Sequence, residues 1–176
     1  ILQMLIQFLD YRQMLIGKKY GMKMKVKENK KAPVFKLTGT KNTTFDLKNF
    51  KGKLVIYFYP KDDTPGCTLE TKDFSKLYKK FKKAKCEIVG ISKDTIESHE
   101  KFKKKYRVPF ELLSDPDLRM QKKYGVWSIK TFMGRKFLGT VRSTVFINKG
   151  KIKKIWSNVR VNNHAKEVFN FVSSYK

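Results

Sequence analysis

The stretch VIYFYPKDDTPGCTLE, residues 55–70, runs five apolar or aromatic residues into a proline and then into a cysteine. Val55 to Tyr59 reads as a buried parallel strand, and Pro60 stops it because a prolyl ring lacks the N–H that a sheet ladder needs. Pro65 suits the first position of a helix, with Thr64 as its N-cap. Cys67 therefore falls in the first helical turn, where unpaired backbone N–H groups and the positive end of the helix dipole favour thiolate over thiol. A thiol at a strand-to-helix junction is set up for chemistry.

Working outward, strands and helices alternate. Apolar segments at 54–59, 87–91, 110–113, 143–147 and 152–156 read as strands, and helical patterns occupy 65–84, 95–106, 116–124 and 163–175. Alternation of this kind predicts an α/β fold with a mixed central sheet flanked by helices. Asn148-Lys149-Gly150 sits between two apolar runs and reads as a hairpin turn, which makes the last two strands antiparallel. The runs KKFKKAKC and EKFKKKYR read as solvated helix faces, with Leu77, Tyr78, Phe81, Phe102 and Tyr106 turned inward at helical spacing.

The 176 residues suffice for one domain with a proper core. Two cysteines are too few for a disulfide scaffold and match no zinc spacing, which points to a reducing, cytoplasmic setting. His99 and His164 have no second ligand at i+3 or i+4, so neither a metal nor another cofactor is expected. The formal charge of +26 raises nucleic acid or an anionic surface as partners. Lysine outnumbers arginine 35 to 6, however, and the lysines are scattered over several elements without interleaved aromatics. Arginine is the better reader of phosphate and base edges. The charge is therefore read as the lysine-heavy composition of an AT-rich genome, with no specific nucleic-acid partner.

Residues 1–30 need a separate account. Gln3, Gln7 and Asp10 fall at i, i+4 and i+7, so a helix over residues 1–16 carries one polar stripe on an apolar cylinder, and Gly17 and Gly21 end it. The run is too short and polar to span a bilayer and lacks the basic start and cleavage site of a signal peptide. One reading makes it a membrane-surface or self-association helix. The other makes it a start outside the folded unit, because the chain opens on Ile1 while Met14, Met22 and Met24 all precede the domain at 31–176.

PKDDTPGCTLE resembles the active-site segment of a peroxiredoxin of the bacterioferritin comigratory protein type, and the likeness continues through EIVGISKD, FELLSDPD, KKYGVWSIKTFMGRKFLGTVRSTVFINKGKI and NNHAKEVFNFV. It covers about residue 30 to the C-terminus. The resemblance implies a thioredoxin-like fold and a cofactor-free reduction of hydrogen peroxide and alkyl hydroperoxides, with thioredoxin, glutaredoxin or a small-molecule thiol as reductant. Members of this type are often monomers, and a weak dimer is the alternative. Residue by residue, the resemblance makes Cys67 the peroxidatic cysteine, places the Thr64 hydroxyl near the sulfur and the peroxide, and makes Pro60 a shield against bulk water. It also makes Arg142 the cation that stabilises the thiolate. Spacing alone does not select Arg142, which otherwise reads as a surface arginine at a strand start. Glu70 matches an acidic residue of the subfamily, and Trp127 also matches but reads as core packing.

Many members of this subfamily carry a resolving cysteine five residues after the peroxidatic one, where this chain has Lys72. The other thiol, Cys86, lies at the far end of the predicted helix. Nineteen residues at about 1.5 Å each separate the two sulfurs by roughly 25 to 30 Å, and a disulfide needs α-carbons within about 7 Å. One-cysteine behaviour is therefore expected. A CxxC disulfide reductase is disfavoured because residue 64 is Thr and residue 70 is Glu. A basic binding or holdase protein that keeps the fold is the remaining alternative.

Overall fold

The computed structural model describes residues 24–176, and its centre is the strand with which the quoted stretch begins. That strand, β3 (Lys53–Phe58), pairs in parallel with β4 (Cys86–Ser92), which pairs in parallel with β5 (Glu111–Ser114). On the other side β3 pairs antiparallel with β8 (Ser143–Asn148), and β8 with β9 (Lys151–Trp156). A short hairpin, β1 (Lys36–Gly39) and β2 (Thr44–Asp46), continues the sheet beyond β5, giving the order β2-β1-β5-β4-β3-β8-β9. The β8–β9 turn matches its sequence signature: Lys149 and Gly150 both have positive φ, 49° and 75°, as a two-residue hairpin loop requires.

Residues 54–59 are fully buried, and strand alternation divides them between two cores. Val55, Tyr57 and Tyr59 face α1 (Pro65–Lys83) and α4 (His164–Ser174), whose Phe74, Phe81, Val168 and Val172 close over them. The Tyr57 and Phe74 rings stack at 4.9 Å. Leu54, Ile56 and Phe58 face the opposite layer, which Val26, Leu47, Met120 and Tyr124 complete. Each fully buried aliphatic or Phe side chain contributes about 1.5–3 kcal/mol, so β3 is the most strongly held strand in the domain. That rigidity is what fixes the loop at its C-terminal end.

The structure departs from sequence expectation in three places. The β1–β2 hairpin escapes a periodicity reading because its strands are short, polar and at the sheet edge. A second hairpin, β6 (Trp127–Phe132) with β7 (Arg135–Thr140), forms its own two-stranded sheet. Its apolar residues face no core, so they give no clean alternation. The helix expected over 116–124 begins only at Arg119, as α3 (Arg119–Tyr124), because Asp115 to Leu118 forms a turn. The Asp115 carboxylate caps it by accepting from Met120 and Gln121 N–H. The other helix, α2 (Ile96–Tyr106), starts from an N-capping Thr95.

The chain reaches the domain along β9, where Asn29 N–H donates to Ile152 O at 2.7 Å and Ala32 N–H to Gly150 O at 2.9 Å. The amphipathic helix and surface contact expected of residues 1–16 lie outside the described residues.

Candidate active site

At the end of β3, Tyr59 N–H still reaches Ile91 O at 3.1 Å, and the half-buried Pro60 then turns the chain away from the sheet. Helix α1 starts at Pro65, with Thr64 at the N-cap in extended geometry. The first intrahelical bond runs from Thr68 N–H to Thr64 O at 2.8 Å, which leaves Gly66 and Cys67 N–H ahead of it as first-turn donors. Thr64 caps by position only: its hydroxyl donates to Lys61 O at 2.9 Å instead of accepting from the helix. The oxygen lone pairs of that hydroxyl are left to accept from another donor. Cys67 lies in this first turn and is 1% exposed.

Sheet register brings Arg142 to the same place. Phe58 pairs with Ser143, so the residue before β8 falls beside the start of the Pro60 loop. From there Arg142 Nη2 donates to Cys67 Sγ at 3.3 Å while Nη1 donates to Glu70 Oε2. Glu70 is one turn after Cys67, on the same helix face, and its side chain is fully buried. A Cβ at position 66 would stand 3.2 Å from Arg142 Nη2, so Gly66 is what lets the guanidinium lie against the first turn.

The charges at this point are coupled. Burial pushes the Glu70 carboxyl up to about 7, against the opposing pull of Arg142. Burial works against the Arg142 charge, yet Glu70 and Cys67 together raise it above its ordinary range. Lys130, on β6, is lowered by burial and by the like charge of Arg142, with Cys67 acting the other way. Glu70 Oε1 has no hydrogen-bond partner among the described residues.

The loop between Pro60 and Thr64 is tied to α2. Asp62, 7% exposed, accepts from Tyr59 OH at 2.6 Å and Ser98 Oγ at 2.8 Å, and it lies 2.8 Å from His99 Nδ1. His99 Nε2 reaches Leu113 O at 3.1 Å. Asp63, at φ 54°, accepts from Lys105 Nζ at 2.7 Å and Tyr106 OH at 2.5 Å. Sequence reasoning missed this anchorage. Asp62 stood inside the quoted motif, but nothing in the spacing links it to His99, which reads as an isolated histidine.

Residues 29–155 match the AhpC/TSA family. The chain belongs to this family. It is 40% identical over 146 residues to peroxiredoxin Bcp of Bacillus subtilis, covering 82% of this chain and 93% of that one. Among solved structures, the bacterioferritin comigratory protein of Xanthomonas campestris, described by its alkyl peroxide reduction activity, superposes with a TM-score of 0.76 at 37% identity, covering 80% of this chain and 90% of that one. The PrxQ of Xylella fastidiosa, in a cysteine-to-serine mutant, superposes with a TM-score of 0.79 at 30% identity over 88% and 98% of the two chains. The fold is thus the thioredoxin-like fold of the peroxiredoxins.

Within this AhpC/TSA domain the two thiols are kept apart. Cys86 pairs with Lys53 at the start of β3 and β4, whereas Cys67 lies beyond the far end of β3. Both are free. Burial, with Glu87 adding to it, pushes the Cys86 thiol up to about 12. Lys72 is exposed on α1, with its ammonium 5.9 Å from the Tyr106 ring centroid. Trp127 does not pack the core as expected. It is half-buried at the base of the β6–β7 hairpin, with Lys93 Nζ 5.7 Å from its ring, because β6 pairs only with β7. No cluster of three or more His, Cys, Asp or Glu placed to hold a metal exists among the described residues.

Proposed function

We propose that this thiol-dependent peroxidase reduces hydrogen peroxide and alkyl hydroperoxides at Cys67 and recycles the sulfur without a second cysteine of its own. The observation that carries this reading is the donation from Arg142 Nη2 to Cys67 Sγ at 3.3 Å, in the first turn of a helix. A guanidinium hydrogen is worth more to a thiolate than to a thiol, and only the thiolate attacks. The sulfur attacks the distal peroxide oxygen, an S–O bond forms as the O–O bond breaks, and the departing oxygen takes up a proton to leave as water or alcohol. The product at the enzyme is a sulfenic acid.

Each neighbour has a role in that step. Arg142 holds the sulfur and offers charge to the oxygen that becomes anionic. With its proton given to Lys61 O, the Thr64 oxygen accepts the hydrogen bond of the incoming hydroperoxide. Pro60 turns the loop over the sulfur and keeps bulk water from it. Glu70 anchors the other arm of the guanidinium and so fixes its direction.

Recycling needs an external thiol. That thiol attacks the sulfenic sulfur, releasing water and leaving a mixed disulfide, and a second thiol breaks it to restore Cys67. Thioredoxin, glutaredoxin and small-molecule thiols all have this chemistry. No helix of the described residues is long and apolar enough to cross a membrane.

Intact mass after one equivalent of peroxide with dimedone present, for wild type and Cys67→Ser, tests the reading. A dimedone adduct on wild type alone, with peroxide turnover supported by dithiothreitol, is expected. No reaction at Cys67 would leave the thiol without a role and move weight to a binding function.

A further inference from the structure

The β6–β7 hairpin stands apart from the main sheet, and its tip is apolar and open. Phe132 is 68% exposed, Met133 87%, Phe137 46% and Leu138 42%. A grouped set of this kind, rimmed by polar residues, marks an interaction surface. The turn at Met133 and Gly134 has φ of 48° and 74°, and a Cβ at Gly134 would meet nothing within 4 Å. The register sets Lys130 opposite Phe137 and Phe132 opposite Arg135, so cations and aromatics share one face of the ladder.

Charge says what covers this tip. Residues 118–166, which contain the whole hairpin, carry thirteen Lys and Arg and no Asp or Glu. A nucleic acid would satisfy the cations and leave Phe132 and Met133 in water. An anionic lipid surface satisfies both, with the apolar tip in the acyl boundary and the basic shoulders among the headgroups.

The tip is also next to the reactive sulfur. Lys130 lies on the hairpin face that carries Phe132 and Phe137, within electrostatic reach of both Cys67 and Arg142. Leu69, two residues after Cys67, is a further apolar group, 42% exposed. A surface that holds the tip therefore lies beside the thiol.

We propose that the β6–β7 tip seats the protein on an anionic lipid surface, and that acyl hydroperoxides carried in that surface are its substrate. This rests on the peroxidase reading above and uses the same step. The sulfur takes the distal oxygen, the O–O bond breaks, and the lipid alkoxide takes up a proton and remains in the bilayer as an alcohol.

The test uses the full chain, wild type and the double variant F132S/M133S, with dithiothreitol as reductant. Vesicles of phosphatidylcholine, with or without phosphatidylglycerol, carry phospholipid hydroperoxide. Wild type is expected to co-sediment with the phosphatidylglycerol vesicles and reduce their hydroperoxide. The variant loses roughly tenfold or more in both while its hydrogen peroxide turnover stays within about twofold. Undiminished vesicle binding by the variant would overturn the proposal by placing the contact elsewhere in the chain. So would a defect confined to turnover with thioredoxin, because the tip would then dock the reductant protein. Absence of hydrogen peroxide turnover in wild type would overturn the peroxidase reading, and the substrate assignment with it, whatever the vesicles show.

Discussion

Arg142 Nη2 donates to Cys67 Sγ at 3.3 Å although 75 residues separate the two in sequence. The contact depends on the fork of the guanidinium, because Nη1 is engaged by Glu70 at the same time. A lysine has the charge but not the fork. Arg142→Lys is therefore expected to lower the second-order rate of peroxide reaction about 100-fold, the range found when one preorganised donor is lost from an oxyanion site. Stopped-flow measurement of the reaction checks this, and a loss of less than about threefold would remove Arg142 from the site.

Glu70 gives a pH signature with a defined sign. Its folded carboxyl is raised from 4.5 to about 7, so the folded state holds the proton more tightly than the unfolded chain does. The associated stability is fully present below about pH 4.5 and is lost as pH rises through about 7. Glu70→Gln removes this loss. Its stability relative to wild type is expected to improve by on the order of 3 kcal/mol between pH 4.5 and 8. His164, lowered to about 4 chiefly by burial, acts the opposite way: its contribution is present above about pH 6.5 and is lost as pH falls through about 4. Comparing the two proteins at each pH cancels it. Parallel urea-midpoint profiles would mean that Glu70 titrates normally in the fold.

Cys86 lies at the opposite end of β3 from the reactive loop and is packed in the core under α1. Cys86→Ala is expected to keep peroxide turnover with dithiothreitol within about twofold and to cost on the order of 1 kcal/mol for the sulfur removed. Oxidation of wild type with one equivalent of peroxide should give no intramolecular disulfide. A mass lower by two hydrogens would show that α1 unwinds far enough to join the thiols, contrary to the fold.

What the sequence made legible follows from which forces are local. Val55 to Tyr59, Pro60 and Pro65 mark a strand, a stop and a helix start through backbone rules that act within a few residues. The β8–β9 turn is readable at Lys149 and Gly150 for the same reason. Arg142 became visible only through family likeness, since its place beside Cys67 follows from the pairing of Phe58 with Ser143, a long-range register. The β6–β7 hairpin stayed hidden because Phe132, Phe137 and Leu138 are exposed, and a pattern search assumes that such residues point inward. Thr64 was placed correctly as the N-cap residue, yet its hydroxyl bonds Lys61 O, a choice made by the loop and not by the helix.

Asp62 and His99 were the least legible pair, and they make the last prediction. Asp62 is the one loop residue bonded to Tyr59, Ser98 and His99 together, and both it and His99 are buried. Removing one partner leaves the other in an apolar setting short of a bond. His99→Leu is therefore expected to cost about 3 kcal/mol and, by loosening the loop that leads into Thr64, to slow the peroxide reaction. Asp62→Asn should be less severe, because the amide still bonds Tyr59 and Ser98. In the double variant the costs should not add: an interaction energy of about 1–3 kcal/mol in the urea-unfolding cycle is expected for groups in direct contact. Additive costs would show that Tyr59 and Ser98 alone hold Asp62, and that the histidine serves only to join α2 to Leu113 on β5.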